Sequence, residues 1–233
     1  MSALRRERGV LEAVAACALA GLLAAAPAAV AAAPTRSVVR ILDDAALYAA
    51  PGGRPAFDAG GQLAREHGSA WVLQRRGPWL QIPTLQRRDG GRGWIRRTAL
   101  RRVTTTHLLV RVDLSERRVR VSDGSRVLLS EPVGVGAPSS PSPVGATSVS
   151  ERITVTPVSG LSPAGYGPVV IALRMWQRLP SLADPGGLMA FHGTDDRASV
   201  GTATSGGCFR MLNADVRRLA RLVKPGTPVI VSP

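Results

Sequence analysis

Two cysteines in 233 residues are too few to staple a small secreted fold with disulfides. Aromatic residues make up 4% of the chain, too few for a row of stacking platforms for single-stranded nucleic acid. The three histidines stand far apart, so no Cys/His cluster has zinc spacing, and the chemistry read below is expected to need no metal or organic cofactor. Lysine is almost missing: Lys224 is the single one among 30 basic residues. A GC-rich genome accounts for that bias without a binding function. Charged residues are 20%, which excludes a disordered polyelectrolyte tail, and no fixed-period repeat is present. What is there is 45% hydrophobic, enough for one fair-sized core or two small ones.

Arg5, Arg6 and Arg8 precede an apolar run from Ala13 to Ala26, followed by Pro27 and the small residues Ala29-Val30-Ala31. A basic start, an apolar middle and an A-x-A site read as a secretory signal over residues 1–33. An uncleaved anchor and a lipoprotein site at Cys17 are the alternatives. Cleavage removes Cys17 and leaves Cys208 as a lone thiol in an oxidising compartment. The formal charge is +14, and the removed segment carries +1 of it. An exported chain this basic suits an anionic envelope polymer better than nucleic acid. Membrane contact is expected only transiently, through the signal segment.

Residues 37–103 read as short strands between Gly/Pro turns, which indicates a small β-barrel. The order Leu47-Tyr48, Pro51-Gly52-Gly53, Trp71, Gly77-Pro78-Trp79-Leu80-Gln81-Ile82 and Gly93-Trp94-Ile95 resembles bacterial SH3-like domains of cell-envelope proteins. The resemblance implies a wall-binding or positioning module in which Trp79 and Trp94 serve mainly as packing. From Thr104 the pattern changes. His107–Asp113 and Arg117–Ser122 alternate with period two, and Asp123-Gly124 closes a hairpin to Arg126–Ser130. Val149–Val155, Val169–Leu173 and Thr227–Val231 are further strands. Val216, Leu219, Ala220 and Val223 recur at helical spacing, with Asn213 at the expected N-cap and Gly226 at the end. The fold class expected is mainly β with one packed helix.

The chemistry lies between His192 and Cys208. A thiol becomes a competent nucleophile beside a base, and an imidazole at a strand end can supply one. Ser205-Gly206-Gly207 before the cysteine allows close backbone approach and consecutive N–H groups aimed at one point, as an oxyanion hole requires. Arg210 can lower the thiol pKa or hold a carboxylate. His67 and His107 lie beside no nucleophile and read as structural or solvated.

His192-Gly193-Thr194, then Gly201, then Ser205-Gly206-Gly207-Cys208-Phe209-Arg210-Met211, with Asp215 and Gly226-Thr227-Pro228-Val229 following, resembles the L,D-transpeptidase catalytic domain of the YkuD fold. Val110–Leu114, Pro132–Gly136, Tyr166-Gly167-Pro168 and Gly187 follow that family's order. Ser142-Pro143-Val144-Gly145 stands where the family has Thr-Pro-x-Gly, a mild departure. The resemblance covers residues 104–233 and implies a YkuD-like β-sandwich. It also implies Cys208 as nucleophile and His192 as general base, with Gly207 and Cys208 amides as oxyanion donors. Gly193 would orient the imidazole, and Arg210, Ser205 and Tyr166 would meet substrate. The activity implied is exported 3→3 cross-linking of peptidoglycan stem peptides through a cysteine thioester, open to carbapenem-type inhibitors. Hydrolysis by an L,D-carboxypeptidase or endopeptidase of the same fold, and a non-catalytic wall-binding protein, are the alternatives.

Overall fold

The computed structural model describes residues 34–56, 64–86, 91–177 and 187–233. The expected signal segment, residues 1–33 with Cys17, lies outside them. No helix among the described residues is long and apolar enough to cross a membrane. These described residues belong to one compact unit.

The first strands are β1 (Arg36–Ala46), β2 (Arg65–Trp71), β3 (Gln74–Arg76), β4 (Trp79–Pro83), β5 (Arg92–Arg96) and β6 (Leu100–Thr106). They make two antiparallel three-stranded sheets, ordered β2-β1-β6 and β3-β4-β5. Alternating residues of both sheets enter one apolar cluster that includes Val39, Ile41, Leu47, Leu80, Ile82 and Ile95. Trp79 and Trp94 are buried. Trp79 meets Tyr48 edge to face, and the Arg96 guanidinium lies over it at 4.7 Å.

The larger part contains β7 (Leu108–Asp113), β8 (Arg118–Asp123), β9 (Arg126–Pro132), β10 (Val135–Gly136) and β11 (Gly145–Thr154). Then come α1 (Pro163–Tyr166), β12 (Val169–Trp176), β13 (Leu188–Thr194), β14 (Ala203–Ser205), β15 (Phe209–Leu212), α2 (Asn213–Leu222) and β16 (Pro228–Ser232). Eight strands join in the order β15-β13-β12-β11-β16-β7-β8-β9. The strand β11 is shared along its length. Gly145–Ser148 pair with β16, and Val149–Thr154 pair with β12. Both halves of the sheet bury side chains in one core with Val216, Leu219 and Ala220 of α2.

The helix arises from the spacing read in the sequence, but its start differs. Leu212 is the N-cap and carries no side-chain cap bond. Asn213 is the first helical residue, and its Nδ2 donates to Asp195. The tertiary partner outcompetes the local cap.

The two sets of sheets are joined through polar contacts as well as packing. Arg174 of β12 is 1% exposed and Glu66 of β2 is 0% exposed, and they form an ion pair at 2.5 Å. The same guanidinium donates to the carbonyls of Ser69, at 3.0 Å, and His67. Glu66 also accepts from Thr84 Oγ1 and from the Leu85 N–H. Trp176 Nε1 donates to the Leu85 carbonyl at 2.7 Å. Gly226 stands where a Cβ would overlap Val38 of β1, so the backbone approach requires glycine there.

Candidate active site

Strand β13 carries His192, and β15 runs parallel beside it with Arg210 opposite His192. Cys208 precedes β15 at the end of the turn that follows β14. With His192 opposite Arg210 in this parallel register, Cys208, two residues before Arg210, falls on the same face as His192. His192 and Cys208 line one cavity of about 590 Å³, together with Tyr166, Gln177, Ser205, Gly206 and Arg210. Val170, Ala172, Leu188 and Ala190 supply apolar walls. Arg210 is the only charged side chain among the described residues of the lining.

The histidine is buried, at 6% exposure. Its Nδ1 lies 3.0 Å from the Gly193 carbonyl oxygen. A carbonyl only accepts, so Nδ1 carries the proton and Nε2 keeps its lone pair. The Tyr166 ring sits edge-on to the imidazole with centroids 5.2 Å apart. Burial pushes the His192 pKa down, the Gly193 carbonyl pulls it back up, and the Arg210 charge lowers it further.

Burial pushes the Cys208 thiol up, against smaller lowering effects from the Ala190 N–H and the Arg210 charge. The thiol points weakly at the Leu188 carbonyl, 3.9 Å from Sγ. Both shifts run toward the uncharged forms, the thiol and the neutral imidazole.

The turn before the cysteine is tied internally. Ser205 is 2% exposed. Its hydroxyl donates to the Cys208 carbonyl at 2.7 Å and accepts the Gly207 N–H at 3.1 Å. The Gly207 carbonyl accepts from Ser142 Oγ at 2.6 Å, and Ser142 Oγ also accepts the Gly136 N–H. Of the residues expected to meet substrate, Tyr166 is 39% exposed at the cavity rim, Arg210 lines the wall and the Ser205 hydroxyl is committed within the turn. The Gly207 N–H, an expected oxyanion donor, is likewise committed in this structure. His67 and His107 are exposed and line no part of the cavity.

Gln177, just beyond β12, escaped the reading of the sequence. It is 5% exposed. Its Nε2 donates to the Ser140 carbonyl at 3.2 Å, and its backbone N–H donates to Gly187 at 3.1 Å. Gly207 has φ +118°, and a Cβ there would overlap the Gln177 amide. No sequence signal marks a glutamine for such a place; only the fold brings residues 177 and 207 together.

Among the described residues no group of His, Cys, Asp and Glu could hold a metal ion. In sequence, YkuD of Bacillus licheniformis is 28% identical over 135 residues, covering 58% of this chain and 71% of that protein. L,D-transpeptidase 3 of Mycobacterium tuberculosis is 17% identical, with a TM-score of 0.44 over 61% of this chain and 74% of that one. The catalytic domain of the E. faecium L,D-transpeptidase acylated by ertapenem is 21% identical, with a TM-score of 0.39 over 55% of this chain and 98% of that one. The family model of the L,D-transpeptidase catalytic domain, YkuD, matches residues 108–231, more than half of the chain and the whole of the site just described. This chain belongs to the YkuD family of L,D-transpeptidase catalytic domains.

Proposed function

We propose that this protein is an exported cysteine acyltransferase that forms 3→3 cross-links between peptidoglycan stem peptides. The observation that carries the reading is one apolar-walled cavity holding Cys208, a His192 whose Nδ1–H bond to the Gly193 carbonyl leaves the Nε2 lone pair to act as base, and Arg210, the single charged side chain among the described residues of the lining. Such a wall suits an acyl donor ending in a carboxylate, which Arg210 attracts.

In the first step Cys208 Sγ bonds to the carbonyl carbon of an L-centre joined to a terminal D-amino acid. The thiol proton passes to His192 Nε2. The tetrahedral oxyanion is met by loop amides, with the Cys208 N–H as the backbone donor. His192 then protonates the leaving nitrogen, the C–N bond breaks, and a thioester remains. A side-chain amine of a second stem, of the diaminopimelate kind, attacks the thioester carbon and gives a proton to His192; the new amide C–N bond forms, the C–S bond breaks, and that proton returns to Sγ to restore the thiol. Residues 1–33 would direct export to the cell envelope. The two three-stranded sheets of residues 36–106 would be an SH3-like barrel that helps seat the wall polymer.

Intact mass spectrometry of the mature chain after incubation with a carbapenem tests the acyl-transfer core. One covalent adduct is expected, absent in Cys208→Ala and much slower in His192→Ala. A folded wild-type protein that takes no adduct refutes an activated thiol and favours a non-catalytic wall-binding role. Muropeptide products then separate cross-linking from hydrolysis by water. A Cys208→Ala protein that still makes 3→3 cross-links would sink the assignment.

A further inference from the structure

We infer that Gln177 is a side-chain oxyanion donor of this active site, taking the part that the Gly207 amide gives up. The inference rests on the acyl-transfer reading above and names one residue of its machinery. Four observations carry it. The Gly207 N–H donates to Ser205 Oγ at 3.1 Å, so that backbone donor is spent inside the turn. The Gln177 amide lies directly against Gly207, where a Cβ would otherwise be, one residue before the nucleophile. Gln177 lines the same cavity as Cys208 and His192. Its Nε2 carries two protons and spends one on the Ser140 carbonyl, at 3.2 Å.

The position is also held rigidly, as a preorganised donor must be. The Gln177 backbone N–H is tied to Gly187, the preceding Trp176 is tied through Nε1 to the Leu85 carbonyl, and the side chain is 5% exposed. A primary amide is also neutral at every working pH, so its N–H stays available to a developing oxyanion. In the step concerned, Sγ bonds to the acyl carbon and the carbonyl π pair moves onto oxygen, where the second Nε2 proton of Gln177 meets it. When the pair returns, the C–N bond breaks and the leaving nitrogen takes the proton held by His192.

Two reactions of the same thiol separate this role from a merely structural one. Acylation by a carbapenem such as ertapenem passes through an oxyanion. Alkylation by iodoacetamide does not: Sγ bonds to the methylene carbon and iodide leaves. Both rate constants are measured on the mature chain for wild type, Gln177→Met and Gln177→Ala. Methionine keeps the length and removes the donor; alanine removes both, and covers the case in which methionine disturbs the turn. The expected result is acylation slowed on the order of 10²–10³-fold, the usual effect of losing one such donor, with alkylation unchanged. Acylation as fast as wild type in both variants overturns the inference. So does an equal fall in both reactions, which would make Gln177 a support for the Cys208 turn. A wild-type protein that is alkylated but never acylated refutes the acyl-transfer reading itself, and this inference falls with it.

Discussion

Replacing Arg174 with methionine tests how firmly the N-terminal sheets are built into this protein. Arg174 and Glu66 are almost wholly buried and pair at 2.5 Å. Methionine fills much of the arginine's stem but leaves Glu66 with two donors, Thr84 Oγ1 and the Leu85 N–H, and no countercharge. It also strips two carbonyls, Ser69 and His67, of their donor. Breaking a buried pair from one side costs about 3–5 kcal/mol, because the remaining charge stays desolvated. At about 2–4 °C per kcal/mol for a chain of this size, the melting temperature should fall by about 6–20 °C. Urea unfolding followed by tryptophan fluorescence gives the free energy directly. The double variant Glu66→Leu with Arg174→Met should recover part of the loss, since no unpaired charge remains. A loss under about 1 kcal/mol for Arg174→Met, the scale of an exposed pair, would refute the reasoning.

Three further outcomes follow from the site and the core. Gly193→Ala would push a Cβ into Asn213 Oδ1 and Pro168, shifting the carbonyl that sets the His192 tautomer; carbapenem acylation should slow by on the order of 10²-fold, read by stopped mass spectrometry. Urea midpoints against pH should show two limbs. The depressed His192 costs stability as pH falls through 6.5, where the unfolded chain takes the proton first; the raised Cys208 costs stability as pH rises through 9.0, where the unfolded chain loses it first. Cys208→Ala should flatten the second limb, and an unchanged limb in that variant would refute the assignment. Leu219→Ala, at a position of 0% exposure under the sheet, should cost about 2–5 kcal/mol by denaturant unfolding.

The parts of the fold that were legible in the sequence are those fixed by local period. Val216, Leu219 and Ala220 announce the buried face of α2, and all three are buried. The alternation read over 107–113 and 117–122 appears as β7 (Leu108–Asp113) and β8 (Arg118–Asp123), with Asp123-Gly124 turning into β9 and Gly124 at φ +60°. What the period cannot tell is pairing. Val149–Thr154 belong to one partner and Gly145–Ser148 to another, and a period of two reads the same in both. Asn213 shows the opposite error. Its residue type favours a cap, yet Asp195 offers a tertiary acceptor that no local rule contains.

The same distinction separates the site residues. Cysteine and histidine carry their chemistry in the residue type, and the glycines between them and the arginine after the cysteine repeat a family wording, so the sequence singles out the pair without a fold. Gln177 and Glu66 carry none. The Gln177 amide fits against the Cys208 turn because Gly207, thirty residues further along, has no Cβ to overlap it. A glutamate becomes buried only where an arginine 108 positions away supplies the charge. Both cases meet on one strand: Arg174 and Trp176 of β12 are held by the N-terminal sheets, and Gln177 follows at once. If Gln177 works as inferred, loosening that hold should reach the chemistry. Trp176→Phe, which removes the Nε1 donor to Leu85 and shortens the ring, should then slow acylation more than alkylation, with a smaller effect than Gln177→Met. Equal rates in both reactions would mean that β12 keeps its place by sheet pairing alone.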